Sequence, residues 1–173
     1  MTTTTATADQ AARDGVAAIE AYFVARGAEP VTAGDGRFSI FVPGGEGTET
    51  LQLALASTPA SHGILVRVKT RRTVAQADWP KALLLLNRWN RSSPLPHVVL
   101  AARGAGEAAV GHLLVEGLLP AAVGVDADLV ARFVDGVVAG ARQFWSSTAI
   151  RAITTPIPAP SAPAAPASPS AAG

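Results

Sequence analysis

Two alternating stretches decide the fold class: ETLQLALA at residues 49–56 and HGILVRVKTR at residues 62–71. From Leu51 onward every second residue of the first stretch is a leucine, and in the second stretch apolar side chains at positions 64, 66 and 68 alternate with longer or charged ones. Successive side chains of a strand point to opposite faces. Both stretches therefore predict strands of a sheet with one packed face and one face nearer solvent.

Short connections extend this sheet on both sides. Residues 37–42 form a further β-rich run, and residues 96–103 and 108–116 are typical of a hairpin that turns at Gly104 and Gly106. Connections of this length suit antiparallel hairpins. Residues 27–36 are expected to be loop, because of their composition. The sequence thus predicts an antiparallel five-stranded sheet.

Three amphipathic helices accompany the predicted strands. Residues 7–26 repeat apolar side chains at helical spacing between a Thr7–Gln10 capping box and a terminating Gly27. Asp78 and Asp126 are placed to cap two further helices. The resulting α+β order is α-β-β-β-α-β-β-α.

The second helix, from Asp78 to about Asn90, carries an unusually wide apolar band. Such a helix is buried on more than one side, inside the domain or against a partner. Asn87 and Asn90 lie one turn apart near its end, where we expect them to anchor the turn into the next strand rather than to bind a ligand.

The composition predicts one folded domain followed by a tail. We assign the α+β domain to residues 1–150. Prolines recur among alanine, serine and threonine from Ala152 onward, and no charged residue follows Arg151. Proline fixes φ and lacks an N–H donor, so residues 151–173 are predicted to be a disordered, polyproline-like tail without packed structure.

Composition also excludes several classes of protein. The 173 residues include no cysteine, which rules out a disulfide framework, a thiolate metal site and a cysteine nucleophile. We find neither a signal-peptide pattern nor an apolar run that could span a bilayer, and we expect a cytoplasmic protein with no membrane contact. The formal net charge of +1 argues against a dedicated nucleic-acid-binding protein.

No catalytic or cofactor-binding constellation is recognisable, so we expect a protein that is not an enzyme and has no cofactor. The three histidines, His62, His97 and His112, lie in separate strand regions without the spacing of metal ligands. Gly104 and Gly106 match a relaxed dinucleotide-binding fingerprint, but hairpins rather than βαβ units surround them. A nucleotide-binding sensor or enzyme that uses this loop remains an alternative, as does a purely self-associating structural scaffold.

The segment LNRWNR at residues 86–91 carries a resemblance to a known family. A helix that opens near Trp79, runs through leucines and closes on Asn-x-Trp-Asn resembles the YbjN family of bacterial sensory transduction regulators. The later strands with a glycine turn, and a final helix that ends in Phe144 and Trp145, fit the same family. The resemblance covers residues 7–147.

The resemblance implies a fold similar to that of type III secretion chaperones, which are small homodimers that hold segments of other proteins. It implies no catalysis. The expected function is therefore that of a non-enzymatic chaperone-like adaptor or regulator, whose expected partners are a second copy and a client protein. The implied dimer contact is the apolar band of the second helix: Trp79, Leu83, Leu86 and Trp89.

The one concentration of charge is a basic strip that follows Leu65 in the second alternating stretch. Arg67, Lys69 and Arg71 alternate with apolar residues and are expected on the solvent-facing side of the sheet. A cationic strip attracts acidic peptides. We predict that Leu65, Arg67, Lys69 and Arg71 bind the partner segment; the alternative is a basic face that is merely solvated.

Overall fold

The computed structural model describes residues 3–44, 49–58, 63–106, 109–120 and 125–158. These residues form an α+β fold, with an antiparallel sheet of eight strands among them. The strands are β1 (Val31–Gly34), β2 (Arg37–Val42), β3 (Leu51–Thr58), β4 (Gly63–Lys69), β5 (Arg72–Ala75), β6 (His97–Arg103), β7 (Val110–Pro120) and β8 (Thr155–Pro156). The helices are α1 (Thr3–Ala25), α2 (Trp79–Ser92), α3 (Ala127–Ser146) and α4 (Thr148–Ala152).

The long strand β7 organises the sheet. The strand order is β1-β2-β3-β4-β7-β5-β8, and β6 pairs with the other edge of β7. β4 and β5 lie end to end along β7, since β4 pairs with residues 115–120 and β5 with residues 110–111. β7 is therefore central, whereas β1 and β6 each pair with a single neighbouring strand.

The prediction of five strands is wrong, because the described sheet has eight. β1 occupies residues expected to be loop, and it folds back on β2 through a turn where Asp35 and Gly36 have φ of 50° and 68°. The single strand expected over residues 62–71 is divided by Thr70 and Arg71 into β4 and β5. β8 lies in the predicted tail. β5 and β8 depend on pairing with distant residues, and β1 depends on the hairpin that it forms with β2; composition reveals neither.

The expected alternation is confirmed and defines where the core lies. Leu51, Leu53 and Leu55 of β3 are buried, as are the apolar side chains at positions 64, 66 and 68 of β4. They join one core with the inner faces of α1 and α3. Burial of this apolar area is the main stabilising contribution to the fold.

The helix ends follow the predictions in part. Asp126 caps α3 as expected, because its Oδ1 accepts a hydrogen bond from Leu129 N at 2.7 Å. Asp78 precedes α2 but makes no cap bond; its carboxylate accepts from Lys81 Nζ at 3.1 Å. The Thr7–Gln10 capping box is wrong, since α1 begins at Thr3.

The chain remains packed beyond the predicted domain. Thr154 is buried, and Thr155 pairs with Thr73 of β5. The prediction that packed structure ends at Ala152 is therefore wrong for this short segment, since side-chain and main-chain bonds hold it. The remainder of the predicted tail, residues 159–173, lies outside the described residues.

Candidate functional site

The open face of the sheet is the face opposite the core. It carries the side chains at positions 52, 54 and 56 of β3, 65, 67 and 69 of β4, and 112, 114, 116 and 118 of β7, which are half-buried or exposed. The register places these positions side by side on adjacent strands. Since all four described helices contribute side chains to the core on the other face, the open face is free of helices within the described residues.

A groove crosses the open face where its side chains are small. It consists of two hollows of about 430 Å³ and about 340 Å³ that share Ala54 and Arg67. Ala56 adds to the floor of the first and Ala101 to that of the second. The groove is deep at this place because the small alanine side chains lie between longer ones.

The two hollows differ in their walls. The Leu65 hollow is bounded by Leu65 and Arg37. The His112 hollow is bounded by Lys69, Arg103 and His112 from three adjacent strands. The groove therefore runs from a more apolar end to a strongly basic end.

Charge on this groove is positive. Arg67 lies directly opposite Glu116 in the β4–β7 register, and its Nε donates to Glu116 Oε1. Arg37, Lys69 and Arg103 form no ion pair with any residue that the structure describes. Three of the basic side chains at the groove are thus available to an anionic partner.

The positive charge of the groove affects the pKa of His112. Burial lowers the pKa of His112, and the charges of Lys69 and Arg103 lower it further. The imidazole is neutral near neutral pH as a result. His97 is exposed and lies opposite Glu116 in the register, and His62 falls outside the described residues. Within the described part of the chain no group of three or more metal-ligating side chains is found.

Three of the four predicted partner-binding residues share the open face. Leu65, Arg67 and Lys69 line the groove. Arg71 does not join them, because it lies in the bend between β4 and β5, where its Nη2 donates to Pro158 O at 2.7 Å. Whether these residues bind a partner stays a prediction.

Sequence reasoning missed half of the groove. The alanine floor, Arg37, Arg103 and His112 were not among the predicted binding residues. Alternation alone could have placed each of them on the solvent-facing side of its own strand. Bringing the strands together requires the register, which alternation does not specify.

The predicted dimer contact on α2 is used largely within the chain. Leu86 is 3% exposed, and the ring of Trp89 packs edge-on against Phe144 with centroids 5.2 Å apart. Trp79 Nε1 donates to Val74 O at 3.3 Å. Of the four predicted residues, Leu83 is the exposed one at 48%, beside Leu84 at 72%.

The loop at Gly104 and Gly106 is a hairpin turn between β6 and β7. Both glycines have positive φ, at 84° and 61°, as a tight turn requires. A dinucleotide-binding fingerprint needs a helix directly after the glycines, with its N-terminus at the phosphates. In the described part of the chain the next element is β7, so this geometry is not formed.

None of the described helices combines the length and apolarity that a bilayer crossing requires. No curated protein and no solved structure matches the chain. A family model described as "Putative bacterial sensory transduction regulator" matches residues 15–147, a range that includes both hollows of the groove. The chain therefore belongs to the YbjN family.

Proposed function

We propose that this protein is a non-enzymatic, chaperone-like regulator that binds an extended, acidic segment of a partner protein in the groove of the open face. The observation that carries the proposal is a groove free of helices whose basic side chains are largely unpaired. The family description as a regulator is consistent with a binding function.

The groove supplies two kinds of contact to such a segment. Its alanine floor accepts apolar side chains of the segment, and Leu65 and Leu114, which line the two hollows, can pack against those side chains. Its basic walls attract carboxylates, and this attraction acts mainly on the association rate and on the choice of partner. An extended chain presents side chains on alternate sides, so apolar residues can face the floor while acidic residues reach the walls.

We further propose that the protein works as a cytoplasmic homodimer with α2 at the contact. Leu83 and Leu84 are the exposed apolar residues of that helix, at 48% and 72%. Leu83→Glu is expected to yield a smaller species by light scattering, because a buried unpaired carboxylate opposes association. If the folded variant and the wild type had the same mass in solution, α2 would not be the dimer contact.

The docking proposal is tested with two synthetic peptides of equal length and equal apolar content, one acidic and one basic. Fluorescence anisotropy should show binding of the acidic peptide that weakens as salt is added. Ala54→Trp fills the part of the floor shared by both hollows and should abolish binding. Ala139→Trp is the matched control, since Ala139 is exposed on α3.

Two results would contradict the proposal. Equal binding of the acidic and basic peptides would show that the basic walls do not select the partner. Equal loss of binding in Ala54→Trp and Ala139→Trp, with both variants folded, would show that the groove is not the docking site.

A further inference from the structure

We propose that the His112 hollow is a binding site for a phosphate group, carried either by a small phosphate ester or by a phosphorylated side chain of the partner segment. The hollow is bounded by Lys69 of β4, His112 of β7 and Arg103 of β6, over a floor that includes Ala101. A phosphorylated side chain of the partner segment as the source rests on the proposed function, whereas a small phosphate ester does not.

The donors of the hollow converge from three adjacent strands. In the register His112 pairs with Ala101, and Arg103 lies two residues further along β6 on the same face. Lys69 follows Val68, which pairs with Val115 of β7. Adjacent strands lie about 4.8 Å apart, so side chains from both neighbours of β7 can reach one ligand above His112.

The charges of the hollow match a doubly charged ligand. Lys69 and Arg103 form no ion pair with any described residue, whereas Arg67 is already paired with Glu116. Two uncompensated cations suit a phosphate dianion better than a single carboxylate. The guanidinium of Arg103 can donate two parallel hydrogen bonds to such an oxyanion, and Lys69 adds a point charge.

His112 would couple binding to pH. The charged groups that line the hollow with His112 are Lys69 and Arg67 of β4 and Arg103 of β6, whereas Glu116 lies four residues further along β7, where it pairs with Arg67. In the free protein burial and its cationic neighbours lower the pKa of His112. An anion beside the imidazole favours the protonated form, so binding takes up a proton and should tighten as pH falls.

The size of the basic area favours this ligand over nucleic acid. A nucleic-acid-binding surface carries a basic patch or stripe and usually a high net charge. Here two of the three unpaired cations, Lys69 and Arg103, border a hollow of about 340 Å³, Arg37 lines the other hollow, and the formal net charge of the chain is +1. One phosphate group fits that extent.

Sulfate is the first probe, because it stays dianionic over the pH range in which histidine titrates. Titration followed by amide NMR should shift the signals of Lys69, Ala101 and His112. The affinity should rise by up to about tenfold between about pH 8 and about pH 6. His112→Gln should remove that pH dependence while Lys69 and Arg103 still bind the anion.

Lys69→Ala and Arg103→Ala should each weaken sulfate binding by about tenfold, the size expected for one charge-assisted contact. Arg132→Ala is the matched control, since Arg132 is exposed on α3. Glycerol 3-phosphate then represents a free phosphate ester, and a phosphoserine peptide represents the partner segment, each compared with its unphosphorylated form.

Two results of the sulfate titration would overturn the proposal and would indicate an adventitious ion only. One is a shift of the NMR signals of all surface arginines and lysines. The other is a loss of affinity in Arg132→Ala equal to the loss in Lys69→Ala and Arg103→Ala. Tighter binding of a single-stranded oligonucleotide, unaffected by His112→Gln, would assign the face to nucleic acid instead. Sulfate binding without peptide binding would contradict the docking proposal and leave the phosphate site standing. Peptide binding without any sulfate site would contradict the phosphate site and leave the docking proposal standing.

Discussion

The side chain of Asn90 holds both main-chain groups of Val98. Nδ2 of Asn90 donates to Val98 O at 2.9 Å, and Val98 N donates to Asn90 Oδ1 at 2.8 Å. Among the described strands β6 pairs only with β7, so the amide occupies a position that another strand would otherwise take. The end of α2 thus covers part of an exposed sheet edge, which limits edge-to-edge association. The expectation that these asparagines anchor the turn into the next strand is confirmed for Asn90, whereas Asn87 is exposed and makes no such bond to a described residue.

Asn90→Ala should therefore lower the free energy of unfolding by about 1–3 kcal/mol, because two partly buried main-chain groups lose their partners. Urea unfolding monitored by circular dichroism measures the change. Asn87→Ala is the control, since Asn87 is exposed one turn earlier on α2. Equal effects of the two substitutions would contradict the anchoring role.

Two glycines one turn apart on α3 should respond to alanine with opposite signs. A Cβ at Gly136 meets nothing within 4 Å, so Gly136→Ala should stabilise the protein by about 0.5–1 kcal/mol through helix propensity. A Cβ at Gly140 would lie 2.6 Å from Pro96 Cδ, so Gly140→Ala should destabilise it. Thermal unfolding gives both signs. Stabilisation by both variants would show that α3 does not approach Pro96 so closely.

Arg72 ties the C-terminal segment to the sheet. Its guanidinium donates to Thr154 Oγ1 at 2.7 Å and to Thr154 O at 2.6 Å, and it pairs with Glu49 at 2.7 Å. Arg72→Ala should release this segment, so the amide of Ile157, which donates to Arg71 O, should exchange faster with solvent. Hydrogen exchange followed by mass spectrometry measures the rate.

Arg71→Ala is the comparison for this experiment, because it removes a side-chain bond to Pro158 O and leaves the Arg72 contacts in place. We expect a smaller increase in exchange at Ile157 for Arg71→Ala. Exchange that is as slow in Arg72→Ala as in the wild type would mean that the β5–β8 pairing holds the segment without Arg72.

His112 should make the protein less stable in acid. Its pKa lies below the ordinary value because of burial and the charges of Lys69 and Arg103. At pH values well above about 6.5 the imidazole is neutral in both the folded and the unfolded chain. As pH falls below that value the unfolded chain takes up the proton first, and stability is lost until pH passes below the folded pKa.

His112→Gln should therefore lose less stability than the wild type over that acidic range, as thermal unfolding at a series of pH values will show. His97→Gln serves as the control, since His97 is exposed at the edge of the same face. Parallel pH profiles for the wild type and His112→Gln would contradict the prediction.

Local patterns in the sequence determined much of this protein. The alternation at residues 51–55 and 64–68 set which side chains enter the core, because neighbouring strand residues must point to opposite faces. Asp126 marked the start of α3 because a helix leaves its first N–H groups without partners. The segment at residues 86–91 pointed to the family that the comparison then established.

Only the tertiary structure decided how those elements meet. The register set Ala54 beside Arg67, and His112 beside Ala101, which formed the groove and its basic end. Pairing with distant strands also separated β5 from β4, and packing between elements placed Leu86 in the core. These outcomes depend on hydrogen bonds and packing between residues far apart in the chain, and no local spacing encodes them.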